Sequence, residues 1–332
     1  MDRVPDPECY PSALVLSMQA PTPAVVGGLV AGTAGWTDRT LIASGRFYPR
    51  GIRKSSERLQ YYASQFSMVE VDATYYALIP AETTQHWVRS TPAGFRFNIK
   101  AHPVLTGHPM ELERLPKDLH RDLGPFSRRG RVYADRLPKE LASDIENRFR
   151  STLQPLTQSG KLSCVLTQFP PWFEATRGNA RRIERLAQRW EGVTLAVEFR
   201  HPSWLDPVRR DRVMSLLKNH QMAYVCVDEP QLEGSGVPPA LEVTFPRLAY
   251  LRFHGHNLRG WATQGASVHQ RFDYLYSTEE LARWARPASS LAAQAEEVHA
   301  VFNNCVRDYA VLGAKGLMAL VNASRRNLSN IG

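Results

Sequence analysis

Cysteine is scarce in this chain: four in 332 residues, at positions 9, 164, 226 and 305. No CxxC pair or metal-finger spacing joins them, so neither a disulfide-built scaffold nor a structural zinc module is expected. Cys164 and Cys226 fall inside apolar runs, where free cysteine behaves as a small core residue. Long apolar runs are missing too. None approaches the roughly 20 residues of a membrane helix, so no membrane partner is expected. The best N-terminal candidate, Ser12–Met18, is short and follows Asp2, Asp6 and Glu8, whereas a secretory signal opens on basic residues. Residues 1–28 read as a Pro-rich, mostly disordered tail, and the cytoplasm as the compartment. Gly32-Thr33-Ala34-Gly35 is too short for a dinucleotide fingerprint. No Walker, nucleophile-elbow, HExxH or kinase pattern occurs.

What is present is a globular composition, 43% hydrophobic and 22% charged, with a formal charge of +9. Arginine dominates that excess, in Ser127-Arg128-Arg129-Gly130-Arg131, Arg181-Arg182 and Arg209-Arg210. Solvated helix faces are the ordinary use of such clusters. The surplus nevertheless favours anionic partners, a small anionic ligand first and nucleic acid second.

Strand and helix patterns alternate from about residue 29 to residue 322. The strands are read at Leu29–Gly35, Met68–Asp72, Phe95–Lys100, Leu162–Gln168, Thr194–Glu198, Met222–Asp228, Leu248–His254 and Glu297–Phe302. Helical patterns follow most of them, one opened by the capping-box pattern Ser277-Thr278-Glu279-Glu280. Eight such units imply parallel pairing, and a (β/α)8 barrel takes about 250 residues. The expectation is an α/β chain with one TIM-barrel-like domain over 29–322, long βα loops, and a C-terminal tail over 323–332. An open doubly wound sheet is the alternative.

Side chains alternate between the two faces of a strand. Glu70 with Asp72, Asn98 with Lys100, Glu198 with Arg200, and Arg252 with His254 therefore share a face. Val69, Val71, Phe97, Ile99, Val197, Phe199, Leu251 and Phe253 take the other. Barrel strands should be apolar on both faces, and barrel enzymes place their chemistry at the C-terminal strand ends. Glu198 or Glu70 is read as a general base, His254 as an acid or proton shuttle, and Asp72 and Asp228 as further carboxylates. Lys100, Arg200 and Arg252 would hold an anionic group. Gln168, Asn303 and Asn304 would orient hydroxyls or carbonyls, and Tyr75, Tyr76, Trp36 and Trp204 would wall the site, with core packing the rival use of these four rings. No cofactor is required, and no metal ligands are assigned. The mixed charges leave room for at most a single divalent metal. Two long loops are read as covers: 101–138, with His102, His108 and His120, and 255–276, with Trp261 and three glycines. His201 is read as capping the turn at Pro202.

The ordered motifs Gly32-Thr33-Ala34-Gly35-Trp36, Val69-Glu70-Val71-Asp72-Ala73-Thr74-Tyr75-Tyr76, Phe97-Asn98-Ile99-Lys100-Ala101, Gln168-Phe169-Pro170-Pro171, Glu198-Phe199-Arg200-His201-Pro202-Ser203-Trp204, Tyr250-Leu251-Arg252-Phe253-His254-Gly255 and Phe302-Asn303-Asn304 resemble the YecE-like family, domain of unknown function 72. The resemblance covers nearly everything after residue 29 and implies a TIM-barrel-type fold, but brings no reaction with it. Against the family pattern, Asp72 stands where Asn is more usual, and Gly107 separates Thr106 from His108. The residues accordingly point to an enzyme using acid/base chemistry on a small anionic or polyhydroxylated substrate, a class that includes sugar phosphates. A nucleic-acid-binding or phosphodiester-processing protein is the second reading, supported by the charge and by fold analogy with metal-dependent repair endonucleases. A non-catalytic ligand sensor is the third.

Overall fold

The computed structural model describes residues 25–232 and 236–329. Its framework is eight strands: β1 (Leu29–Thr33), β2 (Met68–Val71), β3 (Arg96–Lys100), β4 (Leu162–Gln168), β5 (Leu195–Glu198), β6 (Ala223–Asp228), β7 (Leu248–Phe253) and β8 (Glu297–Phe302). All neighbours are parallel, in the order β1-β8-β7-β6-β5-β4-β3-β2. The remaining gap, between β1 and β2, is spanned by a single parallel bridge from Ala34 to Glu70. Nearly closed, the sheet is the barrel expected from the alternation, and the open-sheet alternative falls.

Gly32 is what lets the two end strands meet. A Cβ there would stand 2.6 Å from the Met68 carbonyl oxygen, so the backbones approach only because none is present.

Helices coat the outside because every second strand residue is apolar. Val69, Val71, Phe97, Ile99, Val197, Phe199, Leu251 and Phe253 are all buried. Phe199 stacks on Trp204 at 4.4 Å, and Phe169 on Phe173 at 4.2 Å, giving an aromatic seam outside β4 and β5. Ser277 caps the helix Thr278–Ala292 in a full capping box with Glu280. His201 accepts from the Ser203 N–H at the Pro202–Trp204 turn, the capping role read for it.

Two boundaries differ from the sequence reading. The last helix runs Tyr309–Ser329, past the expected stop at 322, because no glycine or proline interrupts Ala323–Ser329. At the other end, Val26 and Leu29 exchange backbone hydrogen bonds in a tight turn into β1. Residues 1–24 and 330–332 of the expected tails lie outside the described residues. Among the described residues no helix is long and apolar enough to cross a membrane.

Candidate functional site

The inward residues of the strands do converge. Arg252, on β7, donates through Nη2 and Nε to Glu70 Oε1 at 2.7 and 3.0 Å, and through Nη1 to Glu198 Oε2 at 3.0 Å. Tyr250 Oη donates to Glu70 Oε2 at 2.5 Å. Glu198 Oε1 accepts from Gln168 Nε2 at 2.6 Å, His254 Nε2 at 3.1 Å and Arg200 Nη1 at 3.3 Å. Arg200 is shared with Glu229, 2.6 Å away. Glu70, Glu198, Arg252 and His254 are at most 1% exposed, so these four form a sealed lower tier.

The same ladder continues down the barrel axis. Asn98 donates to Tyr250 Oη at 3.0 Å and meets His299 Nδ1 at 3.0 Å, while His299 Nε2 faces Glu297 at 3.1 Å. Glu297 in turn pairs with Arg96 near the opposite rim. Nearly every polar group inside the barrel thus has a partner, which is the condition for burying it.

The two central carboxylates are pushed in opposite directions. Burial raises Glu70, and the neighbouring Asp72 adds to this against the opposing Arg252 guanidinium. Burial works against ionisation of Glu198 as well, but Arg252, His254 and Arg200 overcome it and hold that carboxyl well below its usual range. Burial lowers His254 to about 3 despite the opposing pull of Glu198, so its ring is neutral. A neutral ring suits the network: Nε2–H faces Glu198, leaving Nδ1 to accept from Asn303 Nδ2 at 3.3 Å.

Above the sealed tier lies a half-open one. Asp72 keeps a quarter of its side chain exposed, and Lys100 a tenth. Asp72 Oδ1 accepts no hydrogen bond, although Lys100 Nζ and Arg252 Nη2 stand 3.5 and 3.7 Å away. Lys100 Nζ also sits 5.0 Å from the Tyr75 ring centroid. Tyr75 meets Tyr76 and His108 edge-on, and His108 meets the exposed Trp172. Burial, aided by Lys100 and Arg182, lowers His108 to about 4. Across the mouth, Trp261 from the 255–276 loop covers Arg200 at 4.7 Å and flanks His254, with Phe272 beside it.

Several sequence-predicted residues sit elsewhere. Trp36 packs edge-on against Trp87, which stacks on outward-facing Phe97, so it belongs to the helix layer rather than the wall. Trp204 lies in the aromatic seam and donates to the Phe173 carbonyl. Asp228 turns to the base of the 255–276 loop, accepting from Tyr276 Oη at 2.7 Å and facing His256 Nε2 at 3.1 Å. Asn304 donates to the His254 carbonyl and braces the end of β7. Burial pushes Cys226 up to about 12, and Cys164 upward as well, so both thiols are inert packing. Among the described residues no three His, Cys, Asp or Glu side chains gather as a cation would need.

Tyr250, His299, Glu229 and His256 escaped the sequence reading. Tyr250 shares the parity of Arg252 and His254, and His299 that of Glu297, so period two would have found both. Glu229 reaches Arg200 from beyond a strand end, where no periodic signal exists.

The comparisons agree with this geometry. A family model described as protein of unknown function DUF72 matches residues 30–331. The UPF0759 protein YunF of Bacillus subtilis is 30% identical over 301 residues, spanning 90% of this chain and 96% of the relative. A solved DUF72 family protein of Enterococcus faecalis superposes with a TM-score of 0.72 at 26% identity, covering 89% of this chain and 95% of that one. One from Thermotoga maritima gives 0.69 at 31% identity, over 88% and 98%. With the motifs, the barrel and these matches in register over nearly its whole length, the chain belongs to the DUF72 family.

Proposed function

We propose that the mouth of the barrel binds a small polyhydroxylated molecule and performs acid/base chemistry on it, with Asp72 and Lys100 as the groups that touch it. The observation that carries this reading is the Asp72 carboxylate. Its Oδ1 is buried, with two cations just beyond hydrogen-bond reach and no donor of its own, while a quarter of the side chain stays open to a ligand hydroxyl. Asp72 would accept the hydroxyl proton, and the Lys100 ammonium would stabilise the oxygen left behind.

Glu70, Arg252, Glu198 and His254 are placed too deep to touch such a ligand. Their role is to hold Asp72, Lys100, Gln168 and Arg200 from beneath. Buried ion pairs are a poor way to gain stability, so a frame of this kind is better explained by the groups it positions.

The pairing of charges at the mouth favours a hydroxylated ligand over a phosphate. Each mouth cation already faces a carboxylate: Lys100 faces Asp72, Arg200 faces Glu229 and Glu198, and Arg252 faces Glu70 and Glu198. A phosphate dianion centred here would find Lys100 and Arg200 already paired, and would have to displace a carboxylate to reach either. Hydroxyls, able both to donate and to accept, suit the mixed lining. Tyr75, Trp172 and Trp261 offer ring faces for the apolar side of a sugar.

Calorimetric titration of neutral sugars and polyols into the wild type, Asp72→Asn and Lys100→Met tests the reading. Saturable binding to the wild type should weaken at least about tenfold in each variant, which is about 1.4 kcal/mol. Binding of equal strength in all three proteins sinks the assignment.

A further inference from the structure

Beside the mouth, a second cavity of about 180 Å³ opens between the turn after β2, the turn after β3 and the Met110–Val132 insertion. Tyr75 and Tyr76 form the wall common to it and the mouth. Lys100 lies 5.0 Å from the Tyr75 ring centroid on one side, and Arg114 lies 5.2 Å from that of Tyr76 on the other. Arg131, His102 and Glu111 complete the polar lining.

Its electrostatics are the reverse of the mouth's. Burial lowers His102 to about 3, so that ring adds no charge. Glu111 is taken by Arg114, 2.6 Å away. Arg131 is exposed and, among the described residues, has no side-chain hydrogen bond or ion pair. One net positive charge therefore remains, carried by a guanidinium without a carboxylate. The backbone explains how it comes to be there. Arg128 and Arg131 exchange hydrogen bonds across a tight turn with Arg129 and Gly130 at positive φ, and Arg131 pairs with Glu111 in the two-stranded ribbon that walls the cavity.

We infer that this cavity is an anion subsite: the hydroxylated ligand of the mouth extends past Tyr75 and Tyr76 and places a carboxylate or phosphate against Arg131, with Arg114 stacked beside it. The inference rests on the mouth being the binding site. It divides the ligand by chemistry, with hydroxyls over the balanced charges of Asp72 and Lys100 and the anion where a cation is free. An arginine fork suits either oxyanion. The volume accommodates one such group with a few carbons, well short of a second full ligand site.

Arginine labelling with phenylglyoxal, mapped by mass spectrometry, tests this on the full chain. Glucuronate and inorganic phosphate should slow labelling of Arg131 at least threefold while leaving its neighbours Arg128 and Arg129 unchanged, and neutral glucose at the same concentration should not. Protection by inorganic phosphate should persist in Asp72→Asn, whereas protection by glucuronate should weaken there, which separates this subsite from the chemistry of the mouth. Calorimetry on Arg131→Gln supplies the complement: any preference for glucuronate over glucose should vanish, with glucose binding as in the wild type. Uniform labelling of the three arginines with and without the anions, or an undiminished preference for glucuronate in Arg131→Gln, overturns the subsite. A mouth reading that fails through Asp72→Asn and Lys100→Met, with Arg131 still protected, would instead leave an anion site unconnected to it.

Discussion

Arg252 on β7 clasps Glu70 on β2 through two guanidinium nitrogens, although the residues are 182 positions apart and their strands are not neighbours. The pair crosses the barrel, and with Glu198 it ties together three strands whose backbones share no ladder. Removing the guanidinium strands two buried carboxylates. Arg252→Met should cost about 3–5 kcal/mol, whereas Glu70→Gln, which leaves Arg252 on Glu198, should cost less. Urea unfolding of both variants checks the order; a milder effect for Arg252→Met would mean the network carries little strain when broken.

Tyr250 joins the upper and lower halves of the polar axis, donating to Glu70 while accepting from Asn98. Tyr250→Phe removes one oxygen and leaves both neighbours short of a partner. A loss of about 1–3 kcal/mol is expected, readable in the same unfolding experiment. The indole and tyrosine packing should be untouched, so near-ultraviolet circular dichroism should change little.

Acid should destabilise this protein well above the carboxylate range. Burial holds His102 and His254 down to about 3 and His108 to about 4, from an ordinary 6.5. Between those values the unfolded chain binds protons that the folded chain refuses, so stability falls as pH drops from 6.5 towards 4. Glu198, depressed below its ordinary 4.5, adds its loss at still lower pH. His256, raised by its hydrogen bond to Asp228 against burial, works the other way, its contribution fading as pH climbs through its folded value. His102→Asn isolates one component, since Asn can keep the cap on the Val104 N–H. The slope of unfolding free energy between pH 5 and 6 should shrink by up to about 1.4 kcal/mol per pH unit. An unchanged slope would show that His102 titrates normally.

Two glycines should respond oppositely to alanine. At Gly32 the new methyl collides with the Met68 carbonyl where β1 meets β2, and overpacking of this kind costs about 1–3 kcal/mol. Gly178 lies in the first turn of the helix Arg177–Arg189 with only Thr176 Oγ1 nearby, at 3.9 Å. There alanine should add up to about 1 kcal/mol by limiting the unfolded chain. Thermal unfolding midpoints of Gly32→Ala and Gly178→Ala should move in opposite directions.

Much of this was legible beforehand. The parity of Glu70, Asn98, Glu198 and Arg252 follows from the two-residue period of a strand, and their inward convergence needs only a closed sheet. Ser277 and Glu280 announced their helix through a pattern confined to four neighbouring residues. Trp36 and Trp204 were misplaced for the complementary reason. An aromatic near a strand end can swing to the mouth or into the helix layer, and only the shape of the layer, with Trp87 and Phe173 waiting there, decides which.

The chain's own order of apolar and polar residues was sufficient to determine eight β/α units, the face each strand turns inward, and the charged character of the inner face, because these depend on contacts within a few positions. Tertiary structure alone decided which charges meet. Arg252 could have served Asp228 or Glu229 as well as Glu70, and its choice depends on the stagger and closure of a barrel whose ends join at Gly32. Depth was settled the same way. Glu198 and Asp72 look alike as carboxylates near strand ends, yet the fold seals one beneath His254 and Arg252 and leaves the other facing solvent, since burial is a property of everything packed around a side chain and of nothing in the side chain itself.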